Sequence, residues 1–138
     1  MKIFYLLILV FINLSATSLT SKEDVQNYTK NVIEHISKGE ISKGFDLMAE
    51  ITNIPLVEFK SIRNRYKLQL PIIKERFGKS IGYEYIKTSS IGNSLMKITY
   101  IQKFQKHMMV WNFYFYKPEK EWRLNAFYTV DKIEMVFD

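Results

Sequence analysis

Few residues in this chain are equipped for chemistry, and their spacing narrows what they could do. There are two histidines, His35 and His107, and no cysteine. A zinc site needs three or four converging ligands, so two histidines this far apart predict no metal site, and nothing implies a cofactor. No thiol can act as a nucleophile. The sequence also lacks a glycine-rich phosphate loop and a G-x-S-x-G elbow. What remains is proton transfer by a base working beside a phenol in an apolar pocket, where desolvation and an oriented donor assist. His107 and Asp46 are the candidate bases, with Glu50 one turn beyond Asp46. Each has a plainer reading: His107 closes a strand, and Asp46 sits on the solvated side of a helix. Glu84 and Asp131 fall on the wrong strand face by parity. The chain therefore reads first as a binding domain and second as a pocket isomerase or dehydratase.

The elements that would position these residues follow an export segment. Met1-Lys2 leads into the apolar run Ile3–Ile12, and then Ser15, Ala16, Thr17 and Ser18 supply small residues. This is the three-part pattern of a secretory signal peptide, expected over residues 1–18 and leaving 19–138 as one periplasmic domain. An apolar helix of that length covers about 15 Å, half a bilayer core. No integral membrane segment is expected once the signal is removed. Without cysteine no disulfide can brace the fold. The formal charge is +6. A basic exported protein meets anionic lipid or cell-wall polymer before it meets nucleic acid, so a nucleic-acid partner is not expected.

Ser21 is a predicted N-cap for a helix with the apolar stripe Val25, Tyr28, Val32, Ile33 and Ile36, closed by Lys38-Gly39. A second helix covers Ile41–Ile51, in which Gly44 costs up to about 1 kcal/mol relative to alanine. Pro55 opens a third, Leu56–Phe77, whose stripe Phe59, Ile62, Tyr66, Leu70, Ile73 and Phe77 keeps phase through Pro71, which predicts one helix kinked where Pro71 loses its bond to Lys67, with a break into two helices as the alternative. Lys60, Arg63, Lys67 and Lys74 line one side of it, with Arg65 and Arg76 close by. They form either a solvated face or a surface for an anionic partner. After Gly82 the period changes to two. Four strands are expected: 83–91, 94–104, 107–117 and 122–131, with Lys132–Phe137 extending the last. Three helices followed by a curved antiparallel meander is an α+β order, with the helices on one, cone-like side of the sheet.

Turn lengths set a register. A two-residue turn at Gln105-Lys106 pairs Tyr100 with Trp111, and the turn Pro118–Glu121 pairs Phe115 with Leu124, Phe113 with Ala126 and Trp111 with Tyr128. One face then gathers the core, including Tyr100, Trp111, Phe113, Phe115, Tyr128 and Val130. Tyr85, Tyr100, Trp111 and Tyr128 are the expected lining of a pocket for a small apolar ligand. The other face carries Ile101, Val110, Tyr114, Tyr116 and Phe127, a patch large enough to predict an interface with a second copy in a homodimer or with a periplasmic partner.

The order of elements, with Gly82-Tyr83-Glu84, Tyr100–His107, Trp111–Pro118 and Trp122–Phe127 in the meander, resembles the nuclear transport factor 2-like (cystatin-like) superfamily. More narrowly, it is similar to small exported bacterial members. The resemblance implies a cone-shaped sheet with a pocket beneath the helices and a dimer through the outer sheet face. It extends to ketosteroid-isomerase-like enzymes, which need an inward carboxylate that this sequence does not obviously supply. A periplasmic inhibitor or immunity protein is a third reading.

Overall fold

The computed structural model describes residues 17–138, so the expected export segment lies outside the described residues except for Thr17 and Ser18. Three helices precede a four-stranded antiparallel sheet in the order β1-β2-β3-β4, curled but not closed. The helices are α1 (Lys22–Ser37), α2 (Ile41–Ile51) and α3 (Leu56–Phe77). The strands are β1 (Ser80–Ile91), β2 (Leu95–Phe104), β3 (Met108–Tyr116) and β4 (Arg123–Val130).

Local chemistry sets the helix limits. The Ser21 hydroxyl accepts from the Asp24 amide at 3.0 Å, while the Asp24 carboxylate accepts from the Ser21 amide at 3.1 Å. This reciprocal capping box satisfies two orphan donors of α1. Those bonds hold the Asp24 carboxyl below the usual carboxylate range. The inner stripe of α1 is fully buried at Val25, Val32, Ile33 and Ile36. Gly44 explains how closely α2 approaches it: a Cβ there would stand 2.6 Å from Ile36 Cγ1. The helix-weakening glycine is thus the price of close α1–α2 packing. Helix α3 is different. It continues through Pro71, and of its 22 residues only Phe59, Tyr66 and Phe77 are buried.

The β2–β3 register is the expected one, with Tyr100 opposite Trp111 and Ile98 opposite Phe113. The β3–β4 register begins as expected, with Phe115 opposite Leu124, and then shifts by one. Tyr114 faces Ala126, Phe113 faces Phe127 and Trp111 faces Thr129. The extra residue is Asn125. The Leu124 carbonyl accepts from the Thr52 hydroxyl at 2.8 Å and the Asn53 amide at 3.2 Å, and Asn53 Nδ2 donates to Asn125 Oδ1 at 3.1 Å. The α2–α3 connection is anchored on the bulge. Beyond it the faces exchange contents relative to the sequence expectation. Phe127 is 8 % exposed and packs on Phe45 and Phe59. Tyr128 is 61 % exposed on the convex face, against Tyr114.

The last residues also depart from expectation. Instead of extending β4, Ile133–Val136 form a short 3-10 helix that lies against β3, and Lys87 Nζ donates to the Asp138 carbonyl. Val110, expected on the face that needs a second molecule, is 1 % exposed within the chain itself.

Candidate functional site

An open cleft of about 1050 Å³ lies where α3 leaves the sheet uncovered. One wall is the C-terminal half of α3, at Tyr66, Leu70, Ile73 and Lys74. The second is the end of α1 from Ile36 to Gly39. The third is formed by the start of β1 and the end of β2. Ile36, Leu70, Ile73, Tyr83 and Phe104 make its surface apolar, while Lys38, Lys74, Lys79 and Lys103 stand among its lining residues and no carboxylate does. Lys38 is paired with Glu34 at 3.0 Å.

The narrow end of the cleft is tightly defined. Gly78 ends α3 with φ +81, and a Cβ there would meet Gln105 Cβ and Oε1 at 3.1 Å. The Lys106 amide donates to the Phe77 carbonyl at 2.8 Å and the Gln105 amide to the Lys79 carbonyl at 3.0 Å. The β2–β3 turn is therefore stapled to the end of α3. Beneath the cleft runs a satisfied polar chain. Trp111 Nε1 donates to Gln102 Oε1 at 3.1 Å, Gln102 Nε2 donates to Ser80 Oγ at 3.0 Å, and Ser80 Oγ donates to the Ser37 carbonyl at 2.7 Å. Gln102 is 3 % exposed, so these bonds replace the water it loses. The chain ties β3 through β2 and β1 to the last turn of α1.

The four residues expected to line a pocket separate. Tyr100 and Tyr85 share a second, smaller cleft of about 350 Å³ with Tyr83 and the α1 residues Gln26, Asn27 and Lys30. Tyr100 packs edge-on to Tyr83 and Tyr85, at 6.0 and 5.5 Å between ring centroids. Burial pushes its phenol up to about 12, so it stays protonated and is a weaker acid than free tyrosine. Trp111 is fully buried under Tyr66 and stacked on Phe113, so it is core rather than lining. Tyr128 is on the convex face because of the bulge.

The candidate bases are occupied elsewhere. His107 Nε2 lies 2.7 Å from the Asp131 carbonyl, which can only accept, and its ring is edge-on to Phe77 at 4.7 Å. It latches the end of β4 to the start of β3. Asp46 accepts from Arg63 Nη1 at 2.7 Å with its side chain 66 % exposed. Neither lines either cleft. Among the described residues no three histidines, aspartates or glutamates converge in a way that could hold a metal.

Of the expected interface residues, Ile101 and Tyr114 are half-buried, Tyr116 is exposed, Val110 is buried and Phe127 is in the core. The sequence reading passed over Gln102, Ser80, Lys79 and Lys103. For Gln102 a signal was present, since an amide at inward parity in an aromatic strand must have partners. No helix among the described residues is long and apolar enough to cross a membrane. No family model matches the chain, and no curated protein or solved structure matches it.

Proposed function

We propose that this chain is an exported, non-catalytic binding domain that takes a small apolar ligand in the cleft between α3 and the β1–β2 end of the sheet. The observation that carries this reading is the cleft itself, about 1050 Å³ with apolar walls, the size of a small-molecule site. The arrangement of helices over a curled meander supports membership of the nuclear transport factor 2-like superfamily, where a pocket in this position is usual. The pocket-enzyme alternative is weakened by its bases, because His107 and Asp46 both point into other partnerships. The test is titration with an uncharged environment-sensitive naphthylamine probe. Binding should be saturable and should be lost in Leu70→Trp, which fills the cleft from a half-buried position. Absence of saturable binding, or binding indifferent to Leu70→Trp, refutes the reading.

The convex sheet face supports a second site, for a homodimer or a periplasmic protein partner. Tyr128 on that face and Ile133, Met135 and Phe137 in the segment that follows β4 are exposed at 61, 55, 51 and 85 %, an unusual amount of bare apolar surface. Light scattering that gives twice the monomer mass, and monomer mass in Tyr128→Asp, supports the dimer. A monomer at high concentration leaves the hetero-partner, including the target of an inhibitor.

A further inference from the structure

We infer that the outward face of α3 docks on an anionic lipid bilayer. This inference is independent of the cleft and its ligand. Residues 57, 61, 64, 68, 72 and 75 recur at helical spacing on the side of α3 opposite Phe59, Tyr66 and Phe77. That ridge presents Val57, Leu68 and Ile72 at 82, 78 and 58 % exposure, with exposed Ser61, Asn64 and Glu75 at its other positions. Soluble helices normally turn such residues inward. Lys60, Lys67 and Lys74 flank the ridge on one side, and Arg65 and Arg76 on the other. In all, α3 carries six cations against two carboxylates, Glu58 and Glu75.

The neighbouring elements neutralise little of this charge. Arg63 is held by Asp46, and Arg76 lies 3.8 Å from Asp131. Lys60, Arg65, Lys67 and Lys74 form no ion pair among the described residues. A ridge with three exposed apolar side chains between basic flanks suits the headgroup boundary of an anionic bilayer: Val57, Leu68 and Ile72 reach the acyl boundary while the small polar residues between them and the long cationic side chains stay among the headgroups. The helix is about 33 Å long at 1.5 Å per residue, so it can lie along the surface. An acidic protein would explain the cations but not three widely spaced exposed apolar side chains in line.

The absence of cysteine allows a site-specific test in the full chain, in which a label away from α3 reports any binding made through the apolar N-terminal segment instead. A nitrobenzoxadiazole label on Leu68→Cys should shift to the blue with phosphatidylglycerol-containing vesicles and not with pure phosphatidylcholine. About 0.5 M salt, where the screening length is about 4 Å, should reverse the shift. Lys60→Glu with Lys67→Glu should lower vesicle affinity by more than about thirtyfold. The same label on Asn93→Cys, in the exposed turn between β1 and β2, should stay unshifted. No shift at position 68, an equal shift at position 93, or a shift with polyglutamate but not with vesicles overturns the inference.

Discussion

Replacing Gln102 by leucine tests whether the polar chain under the cleft holds the sheet to α1. Leucine fills nearly the same volume but accepts nothing from Trp111 Nε1, whose side chain is fully buried. An orphaned buried donor costs about 1–3 kcal/mol. Ser80 keeps its bond to the Ser37 carbonyl and adds little, so Gln102→Leu should cost about 2 kcal/mol. For a domain of this size that is a fall in Tm of about 8 °C. Trp111→Phe alone should cost about 2–3 kcal/mol through lost volume and an unpaired Gln102 oxygen. The double variant should cost less than the sum by about 1–2 kcal/mol, because each change removes the other's unsatisfied partner. Urea unfolding followed by circular dichroism reads all four corners. A coupling below about 0.3 kcal/mol refutes the reasoning and makes the bond a bystander of packing. Gln102→Glu adds a pH signature. Burial raises the folded carboxyl above its unfolded value of about 4.3. The variant should therefore approach wild-type stability below that value and fall away from it as pH rises toward neutral.

Three further outcomes follow from the fold. Phe127→Ala should cost about 3–5 kcal/mol and Tyr128→Ala less than about 0.5 kcal/mol in the same urea assay; equal costs would remove the bulge at Asn125. Gly44→Ala should destabilise by about 1 kcal/mol, because crowding Ile36 outweighs the gain in helix propensity; a net gain would show that Ile36 moves freely. Ser21→Ala should cost about 1 kcal/mol. Because the folded Asp24 pKa is depressed, its contribution is present above the unfolded carboxylate value and is lost as pH falls through the folded one. Asp24→Asn should flatten that acid limb in thermal melts across pH, and an unchanged limb counts against the capping box.

The helices were legible because each carries its own boundary chemistry. Ser21 with Asp24, Pro55 and Gly78 mark ends within a few residues of sequence, and the stripes between them keep phase. The β2–β3 register was legible because a two-residue turn leaves no slack. Past Leu124 parity misled, since the cause of the bulge lies in Thr52 and Asn53, far away in the chain. A strand read alone cannot reveal that a distant linker takes two bonds to one of its carbonyls. The C-terminal segment was misread for a related reason, since Lys132–Phe137 has strand-like residues but folds back onto β3. The cleft was the least legible feature. Its walls are ordinary core-stripe residues, Leu70 and Ile73, left half-covered because α3 stands off the sheet, a matter of tertiary spacing that periodicity does not encode.

Helix α3 buries three side chains in six turns, with Ile62, Leu70 and Ile73 only half-covered against the core, so it should open locally at a lower free energy than α1, α2 or the sheet. Such partial opening would expose the concave side of β1 and β2 at a cost well below that of global unfolding. A guest too wide for the resting aperture then has a way in, with Gly78 and the stapled Gln105-Lys106 turn as the hinge and residues 52–55 as the tether at the far end.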